Sequence, residues 1–236
     1  MTNETIDERN GAVVLVSGGM DSATAAFEAK HRGHDLYFLH TSYGQQTENK
    51  EFDCAHQLAD RMDVADFLHI ETDHLARIGA SSLTDEGINV NDADLDSDTI
   101  PSSYVPFRNA NLLSMAVSFA EANECGAVYI GAHSEDYSGY PDCRSEFFDA
   151  FEHVINVGTK PATSIDLVAP FVDWSKTEIA ERGRELDVPY EITWSCYRDE
   201  APACGTCDAC AYRLKAFQEG GIEDPIEYAE RPMYSD

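Results

Sequence analysis

The chain has 236 residues, 43% of them hydrophobic, and its 16 basic against 44 acidic residues give a formal net charge of −28 at pH 7. This apolar fraction is enough for a folded core, and we expect one α/β domain over residues 1–236. The charge opposes broad binding to nucleic acid or to an anionic membrane, because both need a basic protein surface. No apolar run approaches the ~20 residues that cross a bilayer, and the polar N-terminus lacks a signal-peptide pattern, so we expect a cytoplasmic protein.

Short apolar runs alternate with helical patterns along the chain. Strands are predicted at 12–16, 36–40, 67–70, 127–130 and 165–168. Helices are predicted at 20–30, 46–62, 109–123, 147–157, 176–186 and 212–219. This alternation predicts an α/β fold with a doubly wound, mostly parallel sheet, which binds ligands beyond the carboxyl ends of its strands.

One long segment, residues 78–107, interrupts this rhythm. It contains no lysine or arginine but several closely spaced acidic residues. A connection of this length in a compact domain is often a lid over a binding site. A solvated acidic insertion is the alternative.

Acidic residues are also spread along the rest of the chain, and only five of the 16 basic residues are lysines. Such composition is typical of proteins from salt-rich cytoplasm. At ~1 M salt the Debye length falls to ~3 Å, which screens most of the self-repulsion. We therefore interpret the charge as salt adaptation, and an ordinary acidic protein is the alternative.

Four of the seven cysteines form a C-x7-C-x2-C-x2-C cluster: Cys196, Cys204, Cys207 and Cys210. An odd cysteine total without a secretion signal argues against a disulfide framework. Four thiolates at this spacing suit one tetrahedral zinc ion, structural because no position is left for water. We therefore predict one Zn²⁺ per chain within a small C-terminal region at 190–225. An iron–sulfur cluster or a catalytic sulfur is the alternative.

The strongest single motif follows the first predicted strand and opens the first predicted helix. It reads Ser17-Gly18-Gly19-Met20-Asp21-Ser22. Glycines let the backbone approach a ligand, and the N–H groups at a helix start attract phosphate. Next to phosphate, Asp21 needs a cation, so we predict that it holds Mg²⁺. The alternative is an ordinary strand-to-helix turn.

This motif resembles the loop of the ATP pyrophosphatase superfamily, whose members split ATP between the α and β phosphates and adenylate a substrate. Further stretches at 43–45, 105–109, 134–144 and 193–197 resemble the 7-cyano-7-deazaguanine synthase family, and the resemblance runs from residue 13 to 225. One departure is Phe107, where that family's pattern has glycine. The resemblance implies an adenine nucleotide alpha hydrolase-like, Rossmann-like fold.

The resemblance also implies a reaction. ATP and free ammonia would convert 7-carboxy-7-deazaguanine to the nitrile, through an adenylated carboxylate and an amide. The product would serve queuosine or archaeosine biosynthesis, and salt adaptation favours a halophilic archaeon and hence archaeosine. The loop predicts AMP and pyrophosphate as products. The family further implies a homodimer, while the net charge leads us to expect neither nucleic acid nor a membrane as a partner.

Particular residues carry these roles in the prediction. ATP would contact Val16, Ser17, Gly18, Gly19, Met20, Asp21, Ser22, Tyr43, Gly131 and His133. The catalytic set would be Ser17, Asp21, Ser22, Lys176 and Arg108, in which Lys176 and Arg108 neutralise developing charge. Surface ion pairs are the alternative for those two residues, and a structural role is the alternative for His133.

The substrate base would be bound by a second group of residues: Glu135, Tyr137, Tyr140, Asp142 and Arg144. Carboxylates accept the N–H donors of a deazaguanine, tyrosines stack on its ring, and arginine pairs with its carboxylate. For Asp142, capping of the following helix is the alternative.

Two rival functions remain open at this point. A tRNA thiolation enzyme on the same loop would need a sulfur-carrying cysteine and an RNA-binding surface. A zinc-ribbon binding module with an inactive loop would show no ATP turnover.

Overall fold

The computed structural model describes residues 10–85, 87–95, 99–133 and 140–235. Five parallel strands form one sheet in the order β3-β2-β1-β4-β5. They are β1 Gly11–Leu15, β2 Asp35–Ser42, β3 Asp66–Glu71, β4 Ala127–Ile130 and β5 Asp166–Val168. All five predicted strands are therefore confirmed.

Seven α-helices accompany the strands in the described residues: α1 Met20–His31, α2 Glu48–Met62, α3 His74–Ile78, α4 Arg108–Ala122, α5 Ser145–Gly158, α6 Lys176–Glu185 and α7 Asp208–Glu219. The prediction missed α3, which is only one turn long. It also began α7 too late, because Cys207 is the N-cap of α7 and Asp208 favours the first turn of a helix. None of the described helices combines the length and the apolar character needed to span a membrane.

Both faces of the sheet are covered. Helices α1, α2, α6 and α7 pack on one face against strand residues such as Val14 and Phe38. Helices α4 and α5 pack on the other face against Val13 and Val128. Because neighbouring strand residues point to opposite faces, strands covered on both sides read as continuous apolar runs. The doubly wound, mostly parallel prediction is confirmed.

The strand order determines where a ligand-binding crevice forms in this sheet. Strand β1 lies between β2 and β4. The connection that leaves β1 leads to β2 on one side, and the connection that leaves β4 leads to β5 on the opposite side. Ligands bind at such a switch point, outside the carboxyl ends of the strands. The loop after β1 and the residues after β4 line one cavity at this point, together with the starts of α4 and α6, and this cavity is called the crevice below.

The described part of the acidic segment packs against the protein. The Arg198 guanidinium donates to the Val90 carbonyl at 2.8 and 3.0 Å and to Asp92 Oδ1 at 2.9 Å. Ala93 N donates to the Thr206 carbonyl at 2.8 Å, beside the cysteine cluster. Leu83, nearer the start of the segment, is buried and lines the crevice. The segment thus joins the crevice wall to the cysteine region, and its closure as a lid stays a prediction.

A fully buried ion pair, Arg213 with Asp224, anchors α7. Their side chains are 0% exposed, and two hydrogen bonds of 2.8 and 2.9 Å join guanidinium and carboxylate. Arg213 also donates to Thr193 Oγ1 at 2.8 Å and to the Tyr190 carbonyl at 3.2 Å. The pair therefore ties α7 to the chain that leads into the cysteine cluster. Sequence reasoning did not single it out.

We expect Arg213→Met to lower the free energy of unfolding by about 3–5 kcal/mol, because it leaves a buried carboxylate without its counter-charge. Urea unfolding in molar KCl measures this change. Exposed Arg61→Met is the control and should change stability by under about 0.5 kcal/mol. The double variant Arg213→Met/Asp224→Leu should regain part of the loss. A loss under about 1 kcal/mol for the single variant contradicts the anchor role.

Candidate active site

The phosphate-loop motif folds into a hydrogen-bonded turn at the start of α1. Ser22 Oγ accepts from Ser17 N at 3.2 Å and donates to the Gly19 carbonyl at 3.1 Å. Ser17 Oγ lies 3.1 Å from Ser22 Oγ and accepts from Gly19 N at 3.3 Å. The two hydroxyls therefore hold the shape of the loop. Gly19 is the N-cap of α1 and has no side chain that could cap the helix, so this end is suited to an anion.

Two glycines are required by close packing around this turn. Gly18 has φ +86°, and a β-carbon on it would lie 2.4 Å from the Glu51 carbonyl oxygen. A β-carbon on Gly131, which follows β4, would lie 2.6 Å from the Asp21 carbonyl oxygen. No side chain fits at either position. The loop is thus clamped between the start of α2 and the end of β4.

Lys176 reaches the loop from α6. Ser175 caps that helix, since its Oγ accepts from Glu178 N at 3.2 Å and its N donates to Glu178 Oε2 at 2.8 Å. This fixes Lys176 at the first helical position with 9% exposure. Its Nζ lies 3.0 Å from Asp21 Oδ2 and 3.5 Å from His133 Nε2.

The alternative of a surface ion pair is therefore wrong for Lys176. Its partner Asp21 belongs to the loop, and Lys176, Asp21 and His133 all line the crevice. His133 Nε2 also lies 3.8 Å from Asp21 Oδ2. The ammonium of Lys176 forms an ion pair with the Asp21 carboxylate inside the turn 17–22. Mg²⁺ binding by Asp21 stays a prediction.

Arg108 lines the crevice from the start of α4. It donates from Nη1 to Tyr43 Oη at 3.0 Å. The preceding residue, Phe107, has φ +57°, so it occupies the left-handed region at the N-cap of α4. Glycine takes up this conformation without strain, which explains why glycine is expected in this motif. Here an exposed phenylalanine adopts the same backbone conformation.

A buried polar network follows β2, and sequence reasoning missed most of it. Tyr43 N donates to Gln45 Oε1 at 2.8 Å, and Gln45 Nε2 donates to Glu51 Oε2 at 3.1 Å. Thr47 Oγ1 donates to Glu51 Oε1 at 2.8 Å. Burial raises the pKa of Glu51 to about 7. The sequence pattern that could have indicated this network is the polar run Gln45, Thr47 and Glu51. It follows β2 directly, at the carboxyl end of the sheet where ligands bind.

The predicted base-binding residues have mixed outcomes. Tyr140 lines the crevice, and its Oη lies 3.0 Å from Ser103 Oγ. Asp142 is buried away from the crevice, and its Oδ2 accepts from Asn109 N at 2.9 Å. Asp142 therefore caps α4, which precedes it in the chain. The prediction that Asp142 reads the base is wrong, and so is the alternative that it caps the helix that follows it. Arg144 is exposed at the N-cap of α5 and does not line the crevice. Glu135 and Tyr137 lie outside the described residues.

Most of the other residues predicted to bind the nucleotide lie beyond the carboxyl ends of the strands, at the switch point between β1 and β4. The crevice lining includes Val16, Gly19, Met20, Tyr43 and Gly131. Gly18 is buried behind the turn against α2. Trp194, Ser195, Tyr197 and Tyr212 also line the crevice, from the chain around the cysteine cluster.

The four predicted metal ligands come together. The Sγ atoms of Cys196, Cys204, Cys207 and Cys210 all lie within 4.8 Å of one another. Three backbone N–H groups point at Cys196 Sγ, each at 3.4 Å, and Cys207 N donates to Cys204 Sγ at 3.3 Å. Such donors stabilise thiolates, and four converging sulfurs fit a tetrahedral metal ion. The cluster is thus a candidate metal site, and zinc as its metal belongs to the proposal below.

The cysteine cluster is coupled to the phosphate loop. Trp194 N donates to the Gly18 carbonyl at 2.8 Å, two residues before Cys196. Thr47 Oγ1 lies 3.3 Å from the Cys196 carbonyl oxygen. The cluster therefore supports one wall of the crevice and the loop itself.

These features define a class: a parallel α/β protein with a glycine-containing strand-to-helix turn at its switch point and a four-cysteine site beside it. A sequence model of the family described as "Queuosine biosynthesis protein QueC" matches residues 11–221. The chain belongs to this family.

Similar proteins agree with this assignment. A 7-cyano-7-deazaguanine synthase of Haloarcula marismortui is 74% identical over 226 residues, 95% of this chain and 97% of that protein. One of Halobacterium salinarum is 69% identical over 224 residues, 95% of this chain and 98% of that protein. The NMN synthetase structure from Francisella tularensis has a TM-score of 0.50 at 19% identity and covers 92% of this chain and 79% of that one. At this identity it supports the fold alone.

Proposed function

We propose that this protein is an ATP-dependent ligase that converts 7-carboxy-7-deazaguanine and ammonia to 7-cyano-7-deazaguanine. The observation that carries the proposal is the 74% identity, over 95% of the chain, to a relative named for that product. The crevice supports it, because an anion-binding turn, a buried lysine and an arginine line one cavity.

The first half of the reaction makes an amide. A carboxylate oxygen of the substrate attacks the α-phosphorus of ATP, the α–β bridge breaks, and pyrophosphate leaves. Ammonia then attacks the acyl carbon, AMP leaves with the carbon–oxygen bond pair, and a proton is lost to solvent. The activation is needed because a carboxylate by itself is a poor electrophile.

The second half removes oxygen from the amide. The amide oxygen attacks a second ATP at its α-phosphorus and pyrophosphate leaves again. Loss of two protons from nitrogen and departure of AMP with the carbon–oxygen bond pair leave the carbon–nitrogen triple bond. Both halves place negative charge on phosphate oxygens at the same turn.

The residues divide this work as follows in our proposal. The loop 17–22 and the N-terminus of α1 bind the phosphates, and Lys176 and Arg108 neutralise charge that grows at the α-phosphate. Asp21 keeps Lys176 in place and holds the Mg²⁺ that accompanies ATP. Tyr43, Gly131 and His133 line the nucleotide site, and Tyr140 stacks on the base.

The remaining assignments are also proposals. The cysteine cluster holds one structural Zn²⁺, the reaction takes place in the cytoplasm, and the chain forms a homodimer. The product serves RNA modification. The chain itself does not bind RNA in this proposal, because a net charge of −28 on a 26.1 kDa chain repels a phosphate backbone.

A mass-spectrometric assay tests the function. Purified protein in molar KCl is mixed with ATP, Mg²⁺, ammonium and 7-carboxy-7-deazaguanine. We expect the nitrile to form, with AMP and pyrophosphate, and no nitrile with Asp21→Ala. The cleaved bond is read from ATP labelled at the α or the γ phosphate.

Other outcomes have distinct meanings. Nitrile with ADP and phosphate contradicts the loop-based step while leaving the overall reaction standing. ATP cleavage without nitrile directs the search to other carboxylates or to tRNA thiolation. Zinc-loaded, folded protein that cleaves no ATP contradicts the enzyme proposal and favours a binding module.

A further inference from the structure

The crevice needs a group that recognises the base, because Asp142 is committed to α4. A deazaguanine presents two adjacent N–H donors, on the ring nitrogen and on the 2-amino group. A carboxylate matches that edge, since its two oxygens accept two parallel hydrogen bonds. Only two carboxylates among the described residues line the crevice, Asp21 and Glu51, and Asp21 is paired with Lys176.

We propose that Glu51 is the specificity residue that reads the two-donor edge of the deazaguanine base. This inference rests on the proposed function. It assigns the reading of the base's hydrogen-bonding edge to α2, and Tyr140 keeps its proposed role of stacking on the ring.

The position of Glu51 supports this role. It lies on the first turn of α2, which packs so closely on the phosphate loop that Gly18 has no room for a β-carbon against the Glu51 carbonyl. The side chain of Glu51 therefore belongs to the wall of the crevice directly beside the turn. A base held there lies next to the phosphates, as adenylation of its own carboxylate requires.

The carboxylate of Glu51 is also held in a fixed orientation. Its Oε1 accepts from Thr47 and its Oε2 from Gln45, and these two residues are 2% and 4% exposed. The Gln45 amide is itself oriented, because its Oε1 accepts from Tyr43 N. Each carboxylate oxygen has about two acceptor sites, so one on each oxygen remains for the base. Such orientation by neighbours is what a selective site requires.

Charge complementarity points the same way. Burial raises the pKa of Glu51 to about 7, and the positive charge of Arg108 acts against this rise by favouring the ionised carboxylate. Inside the crevice the carboxylate of Glu51 loses hydrogen bonds to water. The N–H donors of a bound base replace those hydrogen bonds and so stabilise the ionised carboxylate. An adenine ring offers one donor and one acceptor on the corresponding edge and matches the ionised carboxylate only in part. The site therefore favours the base over the nucleotide.

A binding cycle tests the proposal. Affinities for 7-carboxy-7-deazaguanine and for its analogue without the 2-amino group are measured by calorimetry in molar KCl, without ATP. We expect the wild-type protein to prefer the substrate by about 5- to 150-fold, the range of a bidentate pair. Glu51→Gln should lose most of this preference, with the analogue affected less than threefold and ATP affinity unchanged. Exposed Asp53→Asn, a carboxyl-to-amide change on the same helix, should leave all values unchanged.

The contradicting outcomes differ from one another. If Glu51→Gln keeps the wild-type preference, or weakens both bases equally, Glu51 does not read that edge. If it weakens ATP instead, Glu51 faces the nucleotide. If the wild-type protein neither binds nor converts the substrate, the proposed function fails and this inference with it. Should Glu51→Gln fail to fold, Glu51→Asp keeps the charge, withdraws it by one methylene, and should show the same lost preference.

Discussion

Lys176→Met should lower kcat/KM for nitrile formation by about 10²- to 10³-fold, the usual effect of removing one group that stabilises developing charge. Lys176 Nζ is held 3.0 Å from Asp21 Oδ2 inside the crevice, so its removal takes away a positive charge and leaves a carboxylate facing phosphate. We therefore expect both a slower reaction and weaker ATP binding. Steady-state kinetics and calorimetry with ATP measure the two effects.

The matched control is Lys215→Met, which removes a half-exposed lysine of α7 that pairs with Glu219 at 3.8 Å. It should change kcat/KM by less than twofold. The double variant Asp21→Asn/Lys176→Met should be far from additive, because the two residues act as one pair. A Lys176→Met protein with wild-type kinetics would show that Lys176 has no part in the reaction, and an additive double variant would show that the two residues act independently.

Cys207→Ser should abolish stoichiometric zinc binding and lower the melting temperature by about 10 °C or more. The metal, once bound, cross-links Cys196 to the start of α7, so binding free energy becomes folding free energy. Because Trp194 N holds the Gly18 carbonyl and Thr47 contacts the Cys196 carbonyl, we also expect weaker ATP binding. Elemental analysis, thermal unfolding and calorimetry with ATP give three separate readouts.

Cys125→Ala serves as the control, since Cys125 is buried outside the cluster, in the core between the sheet and α4. It should keep one zinc per chain and full ATP affinity. Iron and sulfide in place of zinc would support the iron–sulfur alternative. A Cys207→Ser protein with unchanged melting temperature and ATP affinity would show that the cluster supports neither the fold nor the loop.

The amino-acid sequence was sufficient for the features that depend on local order. Apolar runs covered on both faces determine the parallel strands, and their alternation with helices determines a doubly wound sheet. The turn 17–22 follows from glycines between a strand and a helix, and the cysteine cluster follows from spacing alone. The Ser175–Glu178 capping box is likewise local, and it determines where α6 begins.

Only the tertiary structure decided which side chains face one another across the crevice. Lys176 and Asp21 are 155 residues apart in the chain, and the strand order brings α1 and α6 together. Asp142 lies in a motif of the correct composition, yet its carboxylate is taken by the start of α4, 33 residues earlier. Glu51 lies on α2 outside the stretches predicted to bind the base. Periodicity specifies which face of an element is buried, whereas a ligand site depends on where distant elements end relative to one another, and packing alone fixes that arrangement.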